Sequence, residues 1–177
     1  VIITEKEKNY NRLVVASPDG NLQYYDKRHL FRMAGEHQHY TEGNSKLIFN
    51  IDNWSICPLI CYDLRFPVWS RNRNDYNVLI YIANWPEARS YAWKSLLVAR
   101  AIENQCYVIA VNRVGKDGNG INHSGDSIII DPYGQIIAKA EPGLEQILSA
   151  ELKFEEIEKI REKFPAFLDA DRFEIIN

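Results

Sequence analysis

The chain has 177 residues, 46% of them hydrophobic and 25% charged, with a formal net charge of -3. That size suits one domain with a sizeable core, and the composition is that of an ordinary soluble fold. The mild acidity argues against a nucleic-acid or anionic-membrane partner, no apolar run has bilayer-spanning length, and three cysteines cannot build a disulfide framework.

The first residues, Val1 to Lys8, read as a strand-like start followed by charges. A chain that starts inside a strand, without methionine, suggests part of a longer polypeptide. Tyr10 to Ala16 is rich in β-formers, Ser17-Pro18-Asp19-Gly20 is a turn, and Leu22 to Tyr25 resumes, which predicts a hairpin. Arg32 to Ser45 shows no periodicity and reads as a long surface loop. Lys46 to Ile51 predicts a strand, Asp52-Asn53 a turn, and Trp54 to Cys61 a central strand. Val68 to Arg73 suggests a short helix, and Asn77 to Ala83 a strand buried on both faces.

Ser90 to Asn104 is the clearest helix: Ser90 is placed to cap it, and Trp93, Leu96, Leu97 and Ala101 share one face. Arg100 and Glu103 then form a solvated pair one turn apart. Tyr107 to Val111 reads as a strand, Gly115 to Gly120 as a loop, and Ser127 to Ile130 and Gln135 to Ala138 as strands around the Pro132-Tyr133-Gly134 turn. Ile147 to Leu152 completes the predicted strands. Phe154 to Lys163 is a charged amphipathic helix, followed by an extended tail through Phe173. Strands alternating with helices in the middle of the chain predict an α/β layered domain.

Chemistry concentrates where the apolar run Ile56 to Ile60 meets Cys61 and the charged turn Tyr62-Asp63-Leu64-Arg65-Phe66-Pro67. A buried strand fixes the backbone there, and the turn exposes a side chain. A thiol so placed becomes a nucleophile when a cation favours its thiolate and a carboxylate moves its proton. Lys27 and the loop glutamates Glu36 and Glu42 supply those groups. The glycines at 118 and 120 are turn residues rather than a nucleotide fingerprint, there is no G-x-S-x-G elbow, and His37 with His39 is too sparse for a metal site.

Four blocks in order, Tyr25-Asp26-Lys27-Arg28-His29-Leu30-Phe31, Ile60 to Pro67, Ala99 to Asn104, and Asn112-Arg113-Val114-Gly115, together resemble the nitrilase, or carbon–nitrogen hydrolase, superfamily. The ω-amidases look like the nearest subgroup. The resemblance implies a four-layer α-β-β-α sandwich, of which residues 1–177 form the C-terminal portion of a single domain. It implies Cys61 as nucleophile, Lys27 and the backbone N–H of Tyr62 as oxyanion donors, and Glu36 as a second glutamate, with Glu42 a bystander. The family's general-base glutamate has no matching motif here, so the chain by itself is expected to be inactive.

The implied reaction is hydrolysis of a small dicarboxylate monoamide such as α-ketoglutaramate through a cysteine acyl-thioester, with release of ammonia and with no metal or organic cofactor. Arg65 and Arg89 are candidates to bind the far carboxylate, with Tyr40, Phe66 and Trp85 as pocket walls. Other amides (a carbamoyl amino acid, an aliphatic amide, deaminated glutathione) remain alternatives, as does a non-catalytic subunit. A homodimer or higher homo-oligomer in the cytoplasm, without nucleic-acid or membrane partners, completes these expectations.

Overall fold

The extended segments pair into one six-stranded sheet, one three-stranded sheet and a separate hairpin. The computed structural model describes residues 1–176. Strands β1 (Ile2–Glu5), β2 (Lys8–Ala16) and β3 (Leu22–Asp26) form the antiparallel three-stranded sheet. A one-turn helix α1 (Glu36–His39) then precedes β4 (Phe49–Ile51), β5 (Trp54–Ile60), the one-turn α2 (Pro67–Ser70) and β6 (Val78–Ala83). Next come α3 (Ser90–Asn104), β7 (Tyr107–Asn112), β8 (Val114–Lys116), β9 (Asn122–Ser124), β10 (Ile128–Ile130), β11 (Ile136–Lys139) and α4 (Phe154–Lys163). The large sheet runs β11-β10-β7-β6-β5-β4. Its three central strands, β5, β6 and β7, are parallel, and its outer pairs are antiparallel.

The central strands read as nearly continuous apolar runs because both of their faces receive cover. On one face Cys57, Leu59, Leu79, Tyr81, Val108 and Ala110 meet Trp93, Leu97 and Ala101 of α3. Leu13 and Tyr25 of the small sheet enter the same core. On the other face Ile56, Val78 and Tyr107 pack with Ile157 of α4. Alternation of side chains along each strand sorts these two sets. The parallel pairing also aligns the carboxyl ends: Ile60 lies opposite Ile82, and Ala83 opposite Asn112.

Several local expectations are corrected. Among the described residues, 147–152 find no partner strand and make no ladder; Leu152 instead packs beside Ile157 of α4. Ser90 is the first residue of α3, not its cap, because its hydroxyl is spent as a donor to the buried Asp126 carboxylate at 2.7 Å. Arg100 is buried rather than solvated, donating to Glu103 at 3.0 Å and to the Leu64 carbonyl at 2.6 Å. The helix expected over 68–73 is only Pro67–Ser70, and the strand expected from Lys46 starts at Phe49. The strand before the cysteine ends at Ile60, since Cys61 already turns. The loop at 115–120 belongs to the hairpin of β8 and β9, and the tail contains a 3-10 turn at Ala166–Leu168. The long loop is also partly ordered locally, by a 3-10 turn at Arg32–Ala34 and by α1.

Leu59 has no exposed surface at the centre of β5. Leu59→Ala is expected to cost about 2–5 kcal/mol of unfolding free energy, from lost transfer energy and the cavity left behind. Urea denaturation of the intact protein followed by tryptophan fluorescence measures it.

Candidate active site

Three parallel strands end together at Ile60, Ala83 and Asn112, and the segments leaving them converge at one rim of the sheet. Such carboxyl ends are where open α/β sheets present chemistry. Cys61 is the first residue beyond β5. It opens the 3-10 turn Cys61–Arg65 and holds φ at +46°, a left-handed conformation that costs a non-glycine residue about 1–3 kcal/mol. The turn thus lifts the cysteine out of the strand, and the residue is half-buried.

Burial pushes the Cys61 thiol upward. The Lys27 charge and a hydrogen bond from the Asn84 backbone oppose that rise, while the charges of Glu36 and Asp63 add to it. The net direction is upward, so the thiolate requires a proton acceptor at neutral pH. Among the described residues no carboxylate or imidazole is hydrogen-bonded to the Cys61 sulfur.

Lys27 leaves the end of β3 and is almost completely buried. Its backbone is held from both sides: its N–H donates to Asn11 O at 2.9 Å, and its carbonyl accepts from Gly43 N at 3.0 Å. That close strap is possible because residue 43 has no side chain; a Cβ there would lie 2.2 Å from the Asp26 carbonyl oxygen. The Lys27 ammonium donates to Glu36 Oε2 at 2.6 Å, and the same oxygen accepts the Phe31 N–H at 2.7 Å. The first turn of α1 therefore delivers the glutamate to the lysine. Removing Glu36 would leave a buried cation unpaired, a change that typically costs about 3–5 kcal/mol. Glu42, by contrast, is exposed.

Sequence reasoning passed over Asp63, which has no exposed surface. Its Oδ2 accepts the Tyr25 hydroxyl at 2.8 Å and the Ile60 N–H at 3.1 Å. Its Oδ1 lies 2.9 Å from the His29 N–H and 2.8 Å from His29 Nδ1. The Tyr25 hydroxyl in turn accepts from Trp69 Nε1 at 2.9 Å and from the Arg28 N–H at 3.2 Å. The available signal was a carboxylate set between Tyr62 and Leu64 in an apolar stretch, where an acid persists only if donors surround it.

The residues proposed to meet substrate divide into two groups. Arg89 places its guanidinium 5.4 Å from the Phe31 ring centre, Phe31 lies 4.9 Å from Tyr62, and Tyr62 lies 5.1 Å from Phe66. Arg65 is exposed and stacks over Trp85 at 5.1 Å. Neither arginine forms an ion pair among the described residues. Tyr40 ends α1 and is half-buried. Trp85 is buried and serves the loop: its Nε1 donates to Arg89 O at 2.8 Å, and its backbone N–H to Asn112 Oδ1 at 2.7 Å. It thus supports Arg89 and Arg65 more than it walls an open space. A cavity of about 750 Å³ lies elsewhere, between Arg71–Arg73 and residues 167–174. Among the described residues no group of three or more His, Cys, Asp or Glu side chains is arranged to hold a metal ion, and no helix is long and apolar enough to cross a membrane.

Residues 2–162 match the carbon-nitrogen hydrolase family. The chain is 52% identical over 175 residues to the omega-amidase YafV of Escherichia coli, covering 99% of this chain and 68% of that protein. It is 40% identical over 173 residues to the 2-oxoglutaramate amidase of Bacillus subtilis, covering 96% and 66%. A CN-hydrolase superfamily protein from Xanthomonas campestris, solved with an arsenic adduct in its active site, superposes with a TM-score of 0.96 at 46% identity, over 99% of this chain and 69% of that one. The chain thus spans about two thirds of the length of each of these proteins.

Burial raises the Cys57 thiol to about 12 and the Cys106 thiol higher still, and both are enclosed in the core. Iodoacetamide on the folded intact protein is therefore expected to alkylate Cys61 at least about tenfold faster than Cys57 or Cys106, because reaction needs both thiolate and access. The Cys61 rate should climb as pH rises from 7 to 9, since its thiol titrates above its ordinary range. Peptide mass spectrometry after timed quenching reads all three sites.

Proposed function

The chain belongs to the carbon–nitrogen hydrolase family, and on that premise we propose that it carries the nucleophile and oxyanion machinery of an ω-amidase acting on dicarboxylate monoamides of the α-ketoglutaramate type. The observation that carries this reading is the constellation of Cys61 on a left-handed turn at a strand end with the buried Lys27–Glu36 pair, whose charges bear on the Cys61 thiol. The likeness to an omega-amidase and a 2-oxoglutaramate amidase supports the substrate class.

In the proposed mechanism a glutamate from outside this chain takes the Cys61 proton, and the sulfur attacks the carboxamide carbon. The residues here are read as the C-terminal portion of the catalytic domain; the chain's span of about two thirds of its relatives' length supports a partial domain. The Lys27 ammonium and the Tyr62 N–H hold the oxyanion. The second N–H of a helical turn has no partner within the turn, which leaves that of Tyr62 available. Collapse breaks the C–N bond as the protonated glutamate hands its proton to departing ammonia, leaving an acyl-thioester. Water, deprotonated by the same glutamate, attacks the thioester and releases the acid and the thiol. Glu36 keeps Lys27 aimed throughout.

The far carboxylate of the substrate is assigned to Arg89 and Arg65, whose guanidinium groups have no carboxylate partner among the described residues and lie on aromatic faces around the site. Phe66 and Tyr40 complete the wall. The protein acts as a homo-oligomer in the cytoplasm. The unpaired state of all three cysteines fits a reducing compartment, and the exposed Tyr91 and Ile102 on α3 fit a helix-mediated contact.

Ammonia release from α-ketoglutaramate by the intact protein tests the reading. Cys61→Ala is expected to abolish turnover, and Lys27→Met to lower kcat by about 100- to 1,000-fold, the usual loss for one oxyanion donor. Arg89→Ala or Arg65→Ala should raise KM for acidic amides at least about tenfold while leaving neutral amides unaffected. Turnover confined to carbamoyl amino acids, aliphatic amides or deaminated glutathione would replace the substrate class, and no turnover on any amide would favour a non-catalytic subunit.

A further inference from the structure

The amidase reading employs Cys61, Lys27 and Glu36 but leaves Asp63 without a task. We propose that Asp63 is the positioning residue of this site, the side chain that sets the nucleophile turn against the lysine-bearing hairpin. The role rests on the amidase reading above.

Two placements carry it. First, the carboxylate brackets the nucleophile: it sits two residues after Cys61 and accepts the N–H of Ile60, the residue before it. A left-handed cysteine persists only where its surroundings over-determine it, and this bond ties the two ends of the strained unit together. Second, the carboxylate also brackets the lysine. Its other partners, the Tyr25 hydroxyl and the His29 N–H and ring, lie two residues before and two residues after Lys27.

The two bracketed elements belong to different sheets, and no strand pairing joins them. One buried side chain thus spans the gap between the groups that must act on the same carbonyl. A carboxylate only accepts, so the His29 ring carries its proton on Nδ1. That ring lies flat on Phe66, 3.8 Å between centres and 6° between planes, and Phe66 touches Tyr62. The link therefore extends into the aromatic wall of the site.

The sign of the charge separates positioning from electrostatic activation. Asp63 opposes formation of the Cys61 thiolate. A residue that disfavours the reactive form yet is enclosed beside it contributes through geometry.

Three variants of the intact protein decide the matter by kcat and KM for the amide it turns over. Asp63→Asn preserves shape but replaces one accepting oxygen with a donor. It is expected to lower kcat about 100-fold, the scale of a misplaced reacting group, with KM within about threefold. Tyr25→Phe, which removes one donor to Asp63 together with the acceptor of Trp69 Nε1 and the Arg28 N–H, should lower kcat about tenfold. Asn72→Ala is the control. Asn72 is a buried hub with bonds to Tyr76, Asp75 and Asn104, at the opposite ends of the parallel strands. It should lower the melting temperature while kcat per folded molecule stays within about twofold.

The proposal is overturned if Asp63→Asn keeps kcat within about threefold of wild type, or if Asn72→Ala loses as much kcat per folded molecule. Should Asp63→Asn not fold, Tyr25→Phe decides: unchanged kcat overturns the role and a tenfold loss at constant KM supports it. Wild type inactive on every amide fails the amidase reading and this role with it, whereas active wild type beside an unaffected Asp63→Asn fails this role alone.

Discussion

The site depends on a distance between two sheets that share no strand pairing. Lys27 comes from the end of a small antiparallel hairpin, and Cys61 from the end of a parallel strand in the large sheet. Strand pairing fixes neighbours within a sheet to about 5 Å. Between the sheets only packed side chains and buried polar links set the spacing. Leu13 and Tyr25 supply the apolar part, in one core with Cys57 and Leu59. The Asp63 carboxylate supplies a directional part, with donors from both sheets' segments.

Each charged residue near the thiol is constrained by a local feature of the chain. Gly43 lets the strap lie against the backbone of Asp26 and so pins Lys27. The one-turn helix starting at Glu36 points its first carboxylate at the lysine, while the Phe31 N–H fills the same oxygen's second position. The result is a cation whose orientation is settled before substrate arrives. Electrostatic stabilisation of an oxyanion gains most from such preorganisation, because no solvent or side chain has to rearrange at the moment of reaction.

The elements legible in the sequence were those with strong periodicity or turn chemistry. The Ser17 to Gly20 turn, the apolar central strands and the face of Trp93, Leu97 and Ala101 all appear where pattern placed them. The strand read at 147–152 failed because β-propensity describes a half-buried surface, and among the described residues no strand pairs with it to supply one. The capping role for Ser90 failed because Asp126, distant in sequence, claims its hydroxyl. At the candidate site, ordered motifs singled out Cys61, Lys27 and Glu36, and the structure pairs Lys27 with Glu36 near the Cys61 thiol. Asp63 was not: its place in an apolar stretch hints at burial, but the local sequence does not name its donors, which come from segments 34 to 38 residues earlier.

The central claim is that Cys61 becomes covalently acylated during turnover. Mixing the intact protein with α-ketoglutaramate, quenching in acid within milliseconds and mapping peptides by mass spectrometry tests it directly. The account predicts a transient mass gain equal to the acyl group on the peptide that contains Cys61, appearing before steady-state ammonia release and absent from Cys57 and Cys106. Turnover without any acylated Cys61, or with the acyl group on another residue, would contradict it.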